Sequence, residues 1–322
     1  MTSDRRAPLF SVVVPTHDRA RLLPRAVASV LAQTSGDFEL LIVDDASSDD
    51  TAIVARSFDD PRVRYLPQEE NRGVAAARNA GIAAAAGEWI AFLDDDDEYL
   101  PRFLEASREA LERHRPEAGW CWCGVLEVDD SRGGAVVDRD LWSPRFDSLE
   151  AAHRGFLLGR RTGTGCGLVV RRACFDAVGG FDDTLRSGED TELLVRLARE
   201  YPFTVVPEHL VRIHVHGGRR LRADRAAAAA GYRRILERNR EVLEADPELW
   251  RSLHYKAAWL HYHAGDRAAA RKLLWAGLRR SPVFLKGWLL VLLFETLGTR
   301  LGRRVHDWVS RSGRGLRGAR PR

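Results

Sequence analysis

The segment Gly87–Pro101, GEWIAFLDDDDEYLP, runs from an apolar stretch, Trp89–Leu93, straight into four consecutive carboxylates, Asp94, Asp95, Asp96 and Asp97. An unbroken apolar run of that length is the mark of a strand buried on both faces. Four like charges cannot continue into a core, so the strand must end where they begin, at a rim. Carboxylates crowded at a strand end repel one another unless something positive sits among them. All-oxygen ligands of this kind suit Mg²⁺ or Mn²⁺ bound together with substrate phosphates. A solvated acidic loop has the same charge, but a second acid pair, Asp44-Asp45, ends another apolar run, Phe38–Val43. A third pair, Glu189-Asp190, follows Ser187-Gly188 at a predicted helix start. The macrodipole favours acids there, so capping and chemistry are both open readings. His214 and His216 alternate on one face of a late apolar stretch.

The elements that must position these groups follow from the apolar pattern. Phe10–Pro15 is a β-branched run ended by Pro15, whose ring has no N–H to continue a central strand. Thr16, His17 and Asp18 form a loop, and apolar residues at Leu22, Leu23, Val27, Val30 and Leu31 predict a helix over 22–33. Val63–Leu66 is a short strand, and Asn71-Arg72-Gly73 turns into an Ala-rich helix, Val74–Ala86, carrying Arg78-Asn79. Arg102–Arg115 reads as a helix and Gly119–Asp129 as a strand ending in an acidic turn. The pattern from Ser131 to Arg161 resolves into no element. Thr162–Gly167 is dense in glycine, permitting either close backbone approach to a ligand or a flexible connector. It has neither a P-loop lysine nor G-x-G-x-x-G, so no nucleotide loop is read there. After the helix Thr191–Glu200, Phe203–Val206 and Leu210–Val215 read as two last strands. Strands alternating with helices imply a largely parallel α/β sheet, whose ligands sit at the carboxyl ends of the strands. Both acid clusters lie at such ends.

The chain has 322 residues, 45% hydrophobic and 30% charged, which is globular composition with room for one large domain or two ordinary ones. Cys121-Trp122-Cys123 on a strand would place both sulfurs on one face, poor geometry for a mutual disulfide. With Cys166 and Cys174 they are expected to be buried thiols, as a reducing cytosol allows. MTSDRRAPLF contains no apolar stretch of signal-peptide length, so secretion is not expected. The expected location is the cytoplasm, with peripheral contact on the inner face of the plasma membrane as an added reading.

Four stretches taken together carry a family resemblance: SVVVPTHDRARLLPRAVASVLAQT, FELLIVDDASSDDT, NRGVAAARNAGIAAAAGEWIAFLDDDDEYLP and VGGFDDTLRSGEDTELLVRL. In this order, over roughly residues 9–216, they resemble family 2 glycosyltransferases of the GT-A fold. The resemblance implies an α/β domain over 1–218 that moves a sugar, with inversion, from a nucleotide-sugar donor to a hydroxyl acceptor. It implies nucleotide contacts at Pro15, Thr16, Asp44, Asp45, Asp94 and Asp95. The metal, Mn²⁺ or Mg²⁺, falls to Asp96 of the D-x-D element, with Asp94 and, from RIHVHGG, His214; the neighbouring His216 duplicates that histidine. Asp190 corresponds to the catalytic base, beside Glu189. The donor would be a UDP-, GDP- or dTDP-sugar and the acceptor a saccharide or lipid-linked molecule, within bacterial surface polysaccharide or glycolipid synthesis. No nucleic acid is expected as a partner. A non-catalytic sugar-nucleotide-binding scaffold and a nucleotidyltransferase, which would release pyrophosphate, are the competing readings.

Beyond Gly218 the composition turns helical. Ala226–Asp246 reads as one long helix, and Trp250–Ala264 with Asp266–Arg280 as a hairpin resembling a tetratricopeptide-type pair. Val283–Leu297 is strongly apolar but interrupted by Lys286 and Glu295, so a bundle-core helix and a helix in a membrane interface both remain open. Arg300, Arg303, Arg304, Arg311, Arg314, Arg317, Arg320 and Arg322 face only Asp307, a basic tail suited to anionic lipid or another polyanion.

Overall fold

Where the apolar runs are unbroken, the chain forms strands covered on both faces. A computed structural model describes residues 7–114, 117–140, 146–158, 165–215 and 224–296. The chain divides into two compact units, Met1–Arg219 and Arg220–Arg322.

In the first unit the order begins β1 (Phe10–Thr16), α1 (Leu23–Leu31), β2 (Phe38–Asp44), α2 (Thr51–Arg56), β3 (Val63–Pro67), α3 (Val74–Ala84), β4 (Trp89–Phe92), β5 (Glu98–Tyr99) and α4 (Phe103–Arg113). It continues β6 (Trp120–Asp129), β7 (Ala135–Asp140), α5 (Leu149–Leu157), β8 (Leu168–Arg171), α6 (Arg172–Val178), α7 (Glu189–Glu200) and β9 (Phe203–Val215). These nine strands make one sheet in the order β3-β2-β1-β4-β8-β6-β9-β5, with β7 paired to β6. β1, β2, β3 and β4 are parallel neighbours, as are β6 and β9, whereas β8 joins β4 to β6 antiparallel.

Alternation along the strands divides the core. Phe10, Val12 and Val14 join Leu23, Val27 and Val30 of α1 and Phe103 and Leu104 of α4 in one cluster. Val13 faces the other way, toward α3, where a Cβ on Gly81 would stand 2.4 Å from its Cγ1. Glycine at that position lets the helix lie directly on the strand. Cys121 and Cys123 share the first cluster, and all four cysteines are buried and outside any disulfide. Trp120 and Trp122 pack instead around Phe203 and Phe156.

Three expectations for this unit need correction. β1 does not stop at Pro15 but runs through it to Thr16. Its pairing with β4 ends at Val13, so Pro15 has a partner strand on one side only, where a missing N–H is tolerated. β9 is one strand, not two: the register shifts beside Cys123 and Gly124 accommodate Pro207 without breaking the pairing to β6. Finally, the featureless stretch after Ser131 holds β7 and α5, whose Ser148 cap accepts the Ala151 N–H.

The second unit contains α8 (Arg225–Arg238), α9 (Arg240–Ala245), α10 (Pro247–Ala264), α11 (Arg267–Arg280) and α12 (Leu285–Thr296). The long helix expected over 226–246 is interrupted at Asn239, whose side-chain amide donates to the Ile235 carbonyl and ends α8. Asp246 caps α10, Gly265 at φ 92° turns the chain, and Asp266 caps α11, giving the expected hairpin. Among the described residues no helix is long and apolar enough to cross a membrane. His216, the first half of the glycine-rich run and the basic tail lie outside the described residues.

Candidate active site

Parallel pairing places Thr16 opposite Asp44, and the four acids follow β4 directly on the far side of β1. Both acid clusters therefore share one sheet edge, and each carboxylate there has a defined setting. Asp44 accepts the Tyr65 hydroxyl at 2.6 Å and the Ser47 N–H at 2.9 Å. Asp45 accepts the Arg72 and Gly73 N–H groups at 2.9 and 2.7 Å, fixing the entry to α3. Gly73 takes φ 90° there, a conformation open to glycine. Pro15 is buried in β1, beside Thr16, whose hydroxyl donates to Asp95 at 2.7 Å.

Three arginines offset the acid run. Arg19 donates to Asp96 at 3.0 Å and lies 3.8 Å from Asp95. Arg25 donates to the Asp96 carbonyl at 2.6 Å and reaches Asp130 at 3.4 Å. Arg78, 4% exposed, is held between Asp94 at 2.7 Å and Glu189 at 2.9 Å. Burial opposes its charge, but the two carboxylates outweigh burial and raise its affinity for the proton. Gly165 makes room for it: a Cβ there would sit 3.3 Å from the Arg78 guanidinium. Arg78 thus ties the end of β4 to the start of α7. Asn79, next on α3, holds the turn before α7 by bonding the Phe181 N–H and carbonyl, both at 2.8 Å.

The remaining acids are less compensated. Burial pushes the Asp95 carboxyl up to about 7, against the lowering effect of Thr16 and Arg19. Asp97 is raised well above its usual range by burial and then by Asp94 and Asp96, although it accepts the His214 N–H at 3.0 Å and the Cys166 thiol at 3.1 Å. Fully ionised, the four acids of the run would outnumber the three arginines, and a divalent cation would favour that ionised form. Hard oxygen donors are the right chemistry for Mg²⁺ or Mn²⁺, so the residues present fit such an ion. The ligand atoms of Asp94, Asp97 and Cys166 lie within 4.8 Å of one another. Asp96 stands at the same run, turned to Arg19. His214 is buried, its Nδ1 2.5 Å from Asp130 and its Nε2 2.7 Å from Glu98.

Glu189 and Asp190 open α7 after Gly188 at φ 82°. Burial raises the Glu189 carboxyl; Arg78 opposes this and Asp190 adds to it. Asp190 is only half-buried and accepts the Thr191 N–H at 2.6 Å. The two acids are thus dissimilar: Glu189 is locked in an ion pair, while Asp190 stands at the accessible helix start. Pattern reading gave no site role to Arg78, Arg19, Arg25 or Cys166, and took Asp97 only as part of the acid run. The one local signal was a charged Arg78 on the buried side of an Ala-rich helix.

Comparison with known proteins bears on the family and the fold. An uncharacterised glycosyltransferase of Haemophilus influenzae is 30% identical over 196 residues, 61% of this chain and 64% of that protein. The Escherichia coli putative colanic acid biosynthesis glycosyl transferase WcaA is 29% identical over 203 residues, 60% of this chain and 67% of WcaA. The match thus spans less than two thirds of the Haemophilus protein. Among solved structures, S. aureus TarS 1–349 in complex with UDP-GlcNAc superposes with a TM-score of 0.57 at 18% identity, covering 82% of this chain and 90% of that one. The mannosyltransferase PcManGT from Pyrobaculum calidifontis, in complex with GDP-Man and Mn²⁺, gives 0.55 at 20% identity over 91% of this chain and 84% of its own. At such identities these two show the fold, an α/β sheet of GT-A type. Residues 11–175 match the family described as glycosyl transferase family 2, and the chain belongs to that family.

Proposed function

We propose that the chain transfers a sugar from a UDP-, GDP- or dTDP-sugar to a hydroxyl of a saccharide or lipid-linked acceptor, with inversion and with the help of Mn²⁺ or Mg²⁺. The observation that carries this reading is Arg78, which joins Asp94 of the strand-end acids to Glu189 of the α7 acids. On this reading Asp94 would stand on the donor side and the α7 acids on the acceptor side of one site. Pro15, Thr16, Asp44, Asp45, Asp94 and Asp95 would line the nucleotide, and Asp96, with Asp94 and His214, would hold the metal. Bound there, the metal would neutralise charge developing on the departing diphosphate. Asp190 would accept the proton of the attacking hydroxyl, since Glu189 is engaged by Arg78. One base and direct attack from the opposite side give inversion without a covalent sugar–enzyme intermediate.

The catalytic part is assigned to 1–218 and the helical region to 219–322. WcaA is named for colanic acid biosynthesis, which supports a role in surface polysaccharide synthesis. Contact with an anionic membrane belongs to the same reading, on the cytoplasmic side. The test is nucleoside diphosphate release and sugar transfer across a panel of nucleotide sugars, with the Asp190→Asn variant. General-base catalysis contributes about 10²–10⁴-fold, so turnover should fall by that factor while donor affinity holds. A capping role alone predicts a stability loss of about 1 kcal/mol with turnover retained. Near-normal turnover in the folded variant would remove Asp190 from the mechanism.

A further inference from the structure

Helix α12 is apolar at most positions, LKGWLLVLLFET, so it has no continuous polar face to give to water. One side is used within its unit. Leu290 is buried against Ala258, Leu274 and Leu278, and Gly287 sits so close that a Cβ would fall 2.8 Å from Leu278. Among the described side chains, Leu285 is 80% exposed, Trp288 41% and Leu289 38% on the helix, and Val283, two residues before it, is 85% exposed. Trp288 meets Trp275 of α11 edge-on, ring centroids 5.5 Å apart, which joins the two helices into one apolar surface. Trp275 is itself exposed and stands between Lys272 and Arg279, its exposed neighbours three and four positions away on the same helical face.

Charge says what covers this surface. No acid occurs between Asp266 and Glu295, while Arg267, Arg271, Lys272, Arg279, Arg280 and Lys286 fall within that stretch. The sequence after position 300 adds a basic run. Tryptophan favours the boundary between water and lipid, and lysine and arginine beside it favour anionic headgroups. We propose that the Trp275–Trp288 surface docks on an anionic lipid bilayer, its apolar side chains entering the interface and Lys272 and Arg279 meeting lipid phosphates. This deepens the membrane contact in the function proposed above and is independent of the donor chemistry.

The experiment sediments the full chain with vesicles of phosphatidylcholine alone and of phosphatidylcholine with phosphatidylglycerol. Recovery with the anionic vesicles only, falling as salt rises, is expected. Each Lys or Arg replaced by Gln at 272 and 279 should weaken partitioning roughly fivefold. Trp275→Ala with Trp288→Ala should abolish it, and brominated lipids should quench the fluorescence of the native surface. The charge variants lie at exposed positions and decide the matter if the tryptophan pair fails to fold. The proposal is overturned if the chain stays in the supernatant with both vesicles, or if Lys272→Gln/Arg279→Gln binds like wild type. It is also overturned if sedimentation velocity shows a self-association that the tryptophan variant removes, because the surface then belongs to a second copy. Nucleoside diphosphate release, measured without vesicles on every variant, reports the catalytic reading separately.

Discussion

Replacing Arg78 by Met removes the guanidinium but keeps much of the side-chain volume beneath Phe181, whose ring lies 5.2 Å from the guanidinium carbon. Its two partners differ in worth. Asp94 has a side chain 39% exposed, so its pair with Arg78 adds about 1 kcal/mol or less. Glu189 has a side chain 11% exposed and would be left as a buried carboxylate without its cation. Breaking a buried pair from one side costs about 3–5 kcal/mol, because the remaining charge is desolvated and uncompensated. Glu189 can escape part of this by taking a proton, so the lower end, about 3 kcal/mol, is expected at neutral pH. The sign with pH follows. Burial already raises the Glu189 carboxyl, and losing Arg78 raises it further. A carboxyl raised in the folded state binds more protons folded than unfolded, so its cost grows as pH rises through the folded value and is absent below the unfolded one. Urea denaturation followed by tryptophan fluorescence at about pH 5 and about pH 8 should therefore show a larger deficit at the higher pH. Arg78→Lys should fall between wild type and Met, since a compact ammonium cannot serve two carboxylates in a fork. An Arg78→Met protein within about 1 kcal/mol of wild type at both pH values would refute the reasoning.

Other outcomes follow from single residues. Asp96→Asn should remove most Mn²⁺-dependent affinity for a nucleoside diphosphate in calorimetry, an amide being a poor replacement for a charged oxygen ligand. Unchanged affinity would instead favour Asp94, Asp97 and Cys166, whose ligand atoms lie within 4.8 Å. Gly81→Ala forces a Cβ to 2.4 Å from Val13 Cγ1 and should cost about 1–3 kcal/mol despite alanine's better helix propensity; a variant melting higher than wild type would contradict the packing. Asp60 accepts three bonds from Arg62, at 2.9, 3.0 and 2.8 Å, which hold its carboxyl down to about 2. Asp60→Asn should cost about 1 kcal/mol at neutral pH after solvent screening. That contribution is present above the unfolded value of 3.8 and disappears as pH falls through about 2, so equal deficits at neutral pH and below that point would rule it out.

The sequence by itself determined the parallel strands β1, β2 and β4 and the acids at their ends, because a strand buried on both faces must be continuously apolar and charge cannot follow it inward. It also determined the α10–α11 hairpin, whose stops at Asp246, Gly265 and Asp266 are local capping chemistry. The assignment of Asp96 and Asp190 came from the order of motifs in a family, not from any local physical signal. Tertiary structure alone decided what those acids meet. Arg78 is 16 positions from Asp94 and 111 from Glu189, and no periodicity reveals that β8, inserted antiparallel between β4 and β6, brings Gly165 and Cys166 to the same edge. Phe203–Val206 and Leu210–Val215 read as two strands, because the bulge that joins them into β9 exists only in the pairing with β6. The apolar sequence of α12 was equally consistent with a core and an interface helix. Which side Leu290 packs, and that Trp288 is left beside Trp275, depends on the shape of the neighbouring helices, which composition does not encode.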